Sequence, residues 1–278
     1  MSVATSQHPL DEKTILVTRA AGQSSQFGEL LQQAGATVIE MPALEICPPT
    51  SWDAVDQAIA QLQEIHWLIL TSANGVTYFF KRLFDLGYST DDIRHLHIAV
   101  VGKKTAACLK HMNIVPDFIP PDYVADSLVE HFPDRDTLHR STILFPRVEQ
   151  GGREVLVKEL SANGATVIEV PVYQSVCPAA IAPPALDALQ QKTIDVITFA
   201  SSKTVRHFCQ MIEQATHDTL LDERELLATH VKIASIGPQT SLTCHQLLGR
   251  VDIEAETYTL EGLTTALINW ALSTNKSI

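Results

Sequence analysis

Six short segments carry residue types suited to holding an anion. Thr18-Arg19 and Pro146-Arg147 each close an apolar run rich in β-branched residues. Thr71-Ser72-Ala73-Asn74 and Ala200-Ser201-Ser202-Lys203 follow a second pair of runs. Gly102-Lys103-Lys104-Thr105 and Gly237-Pro238-Gln239-Thr240 follow a third. All are small, hydroxylated or backbone-rich, and most open a helical pattern. A helix N-terminus presents N–H groups without intrahelical partners and a partial positive charge, so it binds carboxylate or phosphate. Gly102 and Gly237 would let a ligand approach the main chain. Pro238 suits a first helical position, and Thr105 and Thr240 add a hydroxyl. Taken singly, these Ser and Thr residues also read as plain N-caps, and Arg19 and Arg147 as surface ion-pair residues. The recurrence points to an anion receptor.

The elements that position these segments alternate in type. Ile15–Thr18, Leu68–Thr71 and Ile98–Val101 are short apolar runs of the kind that form buried parallel strands. Phe27, Leu30, Leu31 and Ala34 recur at helical spacing, and Gly35 supplies a stop. Val155, Leu156, Leu160 and Gly164 echo them. Strand–helix alternation predicts an α/β fold with parallel sheets covered by helices on both faces. Ligands of such sheets bind beyond the carboxyl ends of the strands, where the six segments fall.

The pattern is written twice. "GATVIEMP" (Gly35 to Pro42) returns as "GATVIEVP" (Gly164 to Pro171). "TILVTR" returns as "TILFPR", "WLILTSANGV" as "VITFASSKTV", "IAVVGKKTAACL" as "IASIGPQTSLTC" and "YVADSLVEHF" as "YTLEGLTTAL", in the same order. Duplication explains this, and two similar three-layer domains account for 278 residues. Proline follows each "GATVIE" phrase, consistent with a β–α loop or with a crossing between domains.

Composition narrows the partners. A formal net charge of −12 argues against nucleic acid, while Arg19, Arg147, Lys103, Lys104 and Lys203 can still make the rims locally attractive to carboxylates. No apolar stretch is long enough to span a membrane, and the N-terminus lacks a signal-peptide pattern, so a cytoplasmic protein is expected. The polar lead before Thr14 should fray. Five dispersed cysteines without a C-x-x-C read as free thiols and no metal site. No G-x-G-x-x-G after a strand, no P-loop and no nucleophile elbow occurs, so no cofactor is expected. An enzyme built this way works mainly by holding its substrate in shape.

With these residues assembled, the chain resembles the uroporphyrinogen-III synthase family from about Thr14 to Leu267. The ordered set "ILVTR", "LTSANGV", "VVGKKTA", "ILFPR", "VPVYQSV", "ITFASSKTV", "ASIGPQT" and "YTLEGL" carries the resemblance. It departs from the family's commoner forms at Gln239, often threonine, and at Ser202, often proline.

The resemblance implies a domain exchange: residues 1–41 and 179–278 forming one α/β domain, 50–169 the other, and 42–49 and 170–178 a two-stranded linker. It implies a monomer acting on hydroxymethylbilane, a linear tetrapyrrole with carboxylates on every ring. In the family's reaction the first ring loses its hydroxyl and the last ring attacks through its substituted position. The resulting spiro intermediate fragments and recloses with that ring inverted. Without enzyme, the bilane closes to the uninverted isomer. The resemblance marks Tyr173 as the catalytic candidate, its phenol donating to the departing hydroxyl. It places Ser201 and Thr240 at the substrate, with Thr71, Ser72 and Thr105. The remaining substrate-binding expectations are Thr18, Arg19, Asn74, Gly102, Arg147, Ser202, Gly237 and Pro238. The alternative is a cytosolic two-domain binding or sensor protein for an anionic metabolite.

Overall fold

The structure, a computed structural model, describes residues 8–20, 25–122, 125–133, 135–151, 154–217 and 231–274. Tyr123 and Val124, which open one repeat block, lie outside them. The strands are β1 (Thr14–Val17), β2 (Thr37–Glu40), β3 (Glu45–Cys47), β4 (Trp67–Leu70), β5 (His97–Val100), β6 (Thr142–Val148), β7 (Thr166–Val176), β8 (Val196–Phe199), β9 (Lys232–Ser235) and β10 (Ile253–Glu254). The helices used below are α1 (Ser25–Gln33), α2 (Asp53–Ala60), α3 (Ala73–Asp85), α4 (Lys103–Lys110), α5 (Ala125–Glu130), α6 (Glu154–Ala162), α7 (Pro183–Gln190), α8 (Ser202–His217), α9 (Pro238–Leu248) and α10 (Leu260–Thr274). The chain divides into two compact units, Met1–Glu45 with Val176–Ile278, and Ile46–Ser175.

Each unit holds one five-stranded sheet. The first runs β10-β9-β8-β1-β2 and the second β3-β7-β6-β4-β5. All four pairings of the first sheet are parallel, as are β4–β5, β4–β6 and β6–β7 in the second. The repeat explains the shared order, because β1 and β6 come from one repeated phrase and β8 and β4 from another. Each sheet therefore draws strands from both copies: β1 and β2 of the first copy sit beside β8 and β9 of the second. Sequence neighbours in the duplication are thus not always neighbours in the sheet.

Burial shows why these runs form strands. In the first sheet Ile15, Val17, Val196 and Ala234 pack with α1 and α10 through Phe27, Leu31, Leu263 and Leu267. The residues between them, Leu16, Ile197 and Ile233, pack with α7 and α8 through Ala185, Val205, Phe208 and Ile212. Strand side chains alternate between faces, so a strand covered on both faces reads as a near-continuous apolar run. The second sheet repeats the rule. Leu68, Leu70, Ile98 and Val100 meet α2 and α3, whereas Trp67, Ile69, Ala99 and Val101 meet α5 and α6. Each unit is thus a three-layer α/β sandwich.

Two local expectations are corrected. The lead before Thr14 is anchored rather than frayed from His8 onward: Leu10 is fully buried and its N–H donates to the Ala34 carbonyl. The reason is that α1 ends beside it and leaves C-terminal carbonyls to satisfy. Residues 1–7 lie outside the described residues. Proline breaks the strand only in the first copy, where β2 stops at Glu40. In the second copy β7 continues through Pro171 to Val176.

Candidate active site

In the second unit the carboxyl edge of the sheet gathers Thr71–Asn74 after β4, Gly102 after β5, Arg147 on β6 and Tyr173 on β7. Ser72 is the N-cap of α3, its hydroxyl accepting from the Gly75 N–H at 2.9 Å. The same oxygen lies 3.2 Å from the Tyr173 hydroxyl. Either hydroxyl can donate in this contact, since Ser72 uses only one of its two acceptor sites for Gly75 and keeps its own hydrogen. Thr71 and Asn74 are half-buried beside it, and Thr105, in the first turn of α4, is buried.

A β-bulge aims Tyr173. Arg147 pairs with Pro171, but Val148 pairs with Tyr173, so β7 carries one extra residue, Val172. Pro146 and Pro171 sit together at this point and neither has an N–H to keep the ladder in register. The extra residue puts Tyr173 on the face that already holds Val170 and Val172. There its ring stacks on Tyr78 with centroids 6.1 Å apart. The Tyr78 hydroxyl donates to the Ile46 carbonyl at 3.0 Å. Tyr173 is 8% exposed, so its ring is held and only its edge is offered.

Arg147 turns away from the role expected of it. Its guanidinium pairs with Glu169 and donates to the Gly151 carbonyl, so these groups already claim its charge. Glu169 belongs to the repeated phrase, but its pairing with Arg147 spans neighbouring strands and is invisible to local pattern.

In the first unit the corresponding edge gathers Thr18-Arg19 after β1, Ser201–Lys203 after β8 and Gly237–Thr240 after β9. Thr18 is fully buried and donates to the Thr198 carbonyl at 2.7 Å, while Thr198 donates to Leu16. It braces β1 against β8 and has no surface to offer a ligand. Ser201 accepts from the Thr204 N–H at the start of α8. Ser202 donates to the Gln239 carbonyl at 2.8 Å, tying α8 to the first turn of α9. Thr240 is buried and Pro238 exposed.

The two glycines differ. Gly102 lies at φ 97°, a left-handed conformation that strains any side chain, and a Cβ there would meet only the Thr105 hydroxyl at 3.7 Å. Gly237 is extended, and its open face is filled: a Cβ would stand 2.8 Å from the Tyr258 ring. Its N–H also donates to Ser235. Ligand approach at Gly237 is therefore replaced by packing.

Burial lowers the pKa of Arg19 and of Lys203 at this edge. One neighbour escaped the sequence reading. His207, on α8 one turn beyond Lys203, has Nδ1 2.7 Å from the Ala43 carbonyl. The missed signal was the repeat itself: carried two residues past Val76 and Val205, it sets His207 opposite Tyr78. Among the described residues no cluster of three His, Cys, Asp or Glu is arranged to hold a metal, and no helix is long and apolar enough to cross a membrane. The five cysteines are free thiols.

Comparison with known proteins is consistent across sequence and structure. A family profile described as uroporphyrinogen-III synthase HemD matches residues 25–265. A uroporphyrinogen-III synthase of Synechococcus elongatus is 51% identical over 96% of this chain and 99% of its own. One from Chlorobaculum parvum is 28% identical over 88% and 93%. A uroporphyrinogen III synthase structure from Thermus thermophilus, a mutant crystal form, has a TM-score of 0.56 at 19% identity, covering 94% of this chain and 99% of that one. The Helicobacter pylori uroporphyrinogen-III synthetase structure has a TM-score of 0.57 at 17% identity, with coverage of 94% and 99%. At that identity the two structures speak to the fold alone.

Proposed function

The chain belongs to the uroporphyrinogen-III synthase family, and on that premise we propose how its residues steer hydroxymethylbilane to the inverted macrocycle. The activity is that of a cyclising lyase of tetrapyrrole biosynthesis. The binding-protein alternative is not favoured. The substrate's carboxylates are held by main-chain amides at helix openings such as those of α4 and α8, with Arg19 and Lys203 as local cations. Segments 42–49 and 170–178 serve as the two-stranded linker between domains 1–41 with 179–278 and 50–169. The enzyme works as a cytoplasmic monomer.

Tyr173 supplies the proton. Its phenol donates to the hydroxyl leaving the first ring, and Ser72 donates in turn to the phenolic oxygen as negative charge develops there. The carbon–oxygen bond breaks, water leaves, and the methylene becomes electrophilic. The last ring attacks, the spiro centre fragments, and the ring recloses inverted. The Ser72–Tyr173 bond at 3.2 Å, set on the bulge of β7, is the observation that supports this reading. Choosing between two closures requires only a few kcal/mol, since about 1.4 kcal/mol gives each factor of ten.

The test generates hydroxymethylbilane in the assay and separates the product isomers. The inverted isomer should dominate with the protein and the uninverted isomer without it. The uninverted isomer alone in both reactions would overturn the reading.

A further inference from the structure

The reaction needs a proton acceptor as well as a donor. In the last closure the free carbon of the inverted ring forms its new carbon–carbon bond while still carrying hydrogen. It must lose that proton to become a pyrrole again. The balance is one proton delivered to the departing hydroxyl, which leaves as water, and one proton taken from this carbon.

We propose that His207 takes that proton through Nε2, which makes it a second catalytic residue; the proposal rests on the synthase reading above. Its geometry follows from its partners. The Ala43 carbonyl can only accept, so Nδ1 carries the hydrogen in the bond of 2.7 Å. That fixes the tautomer and leaves the lone pair on Nε2. Among the described residues Nε2 has no hydrogen-bond partner. The ring is half-buried. Ala43 belongs to the carboxyl edge of the sheet, its N–H donating to the Thr18 carbonyl. His207 therefore stands at the same edge as Ser201 and Lys203.

The surroundings keep the imidazole neutral. Burial lowers its pKa, and the charge of Lys203 lowers it further, while the bond to Ala43 opposes both. On the neighbouring segment Cys177 donates to the His207 carbonyl, and burial raises the pKa of its thiol, so it adds no charge near neutral pH. A neutral base with a fixed tautomer is suited to accept a proton near pH 7 and return it to solvent.

The repeat supports the assignment. Tyr78 and His207 occupy matching places in the two copies, and each grips a carbonyl in the segment from Ala43 to Ile46. Tyr173 is likewise matched by Leu44. The duplication has diverged at both places, and the second copy carries both the phenol of Tyr173 and the imidazole of His207.

His207→Gln tests this, because the Gln amide can still donate to Ala43 and its oxygen can still accept a hydrogen bond, but it does not titrate. Isomer ratio, kcat and the pH profile are measured on the intact chain with hydroxymethylbilane. Wild-type kcat should fall as pH drops through the His207 pKa, which lies below the ordinary histidine value of about 6.5. In His207→Gln the plateau should drop about 10²-fold, the low end for a positioned base, and the acid limb should vanish. A folded His207→Gln with wild-type kcat and profile would mean an anchoring role only and would overturn the proposal. So would a wild-type kcat with no acid limb down to the pH at which the protein unfolds, a result independent of how any variant folds. Wild-type protein giving only the uninverted isomer would instead bring down the synthase reading, and this proposal with it.

Discussion

Replacing Tyr173 with phenylalanine separates chemistry from packing. The ring stays, so its stacking on Tyr78 and its place beside Val170 and Val172 are kept. What is lost is one oxygen, whose hydrogen-bond partner is Ser72 at 3.2 Å. Ser72 is not orphaned, because it still caps α3 through the Gly75 N–H. Removing a neutral hydrogen bond of this kind should cost about 1 kcal/mol of stability or less. A positioned general acid contributes at least about 10²-fold, which corresponds to about 2.7 kcal/mol in the barrier. Tyr173→Phe should therefore lose about 10²-fold in kcat with KM little changed, and unfold in urea near the wild-type midpoint. Because the bilane closes by itself, the slower variant should also release a larger share of the uninverted isomer. The assay follows isomer composition against time with the bilane generated continuously. A folded Tyr173→Phe with wild-type kcat would remove Tyr173 from the chemistry and leave it a packing residue.

Other outcomes follow from the same geometry. Gly237→Ala should lose about 1–3 kcal/mol in urea unfolding, because its Cβ would meet the Tyr258 ring at 2.8 Å. The pairing of Gly237→Ala with Tyr258→Ala should recover part of that loss. Gly102→Ala has room but the wrong backbone, and should cost about 1–2 kcal/mol whatever its neighbours. Stability should fall with pH below the ordinary histidine value. His207 has a lowered folded pKa, so the unfolded chain binds its proton first and gains as pH drops from about 6.5 towards that lowered value. Urea unfolding at several pH values should show a shallower fall in His207→Gln. Cys244 is fully buried and its thiol is pushed up to about 12, so thiol labelling at pH 8 should reach it only after denaturation.

Much of the architecture is legible in local pattern. A strand buried on both faces reads as a near-continuous apolar run, so Trp67–Leu70 announces itself, and Val196–Phe199 departs only at Thr198, whose hydroxyl donates to the Leu16 carbonyl. The duplication fixes two similar halves. The family resemblance carried by "VPVYQSV" draws attention to the phenol of Tyr173, where the first copy has Leu44. A formal net charge of −12 argues against nucleic acid as a partner.

Tertiary structure decided the rest. "TILV" and "TILF" read alike, so no local preference tells β1 to pair with β8 and β6 with β4; burial summed over each sheet makes that choice. The register shift beside Pro146 and Pro171 leaves Val172 without a partner on β6, and Tyr173 then stands beside Ser72. Arg147 looked like a cation for the substrate until Glu169 on the adjacent strand claimed it. Gly237 looked like an open approach until Tyr258 filled it. His207 looked like one of eleven scattered histidines until the Ala43 carbonyl fixed its tautomer. Short-range patterns set which residues reach the edge of a sheet, but a side chain's chemistry depends on partners far away in the chain, and only the folded molecule brings those partners into contact.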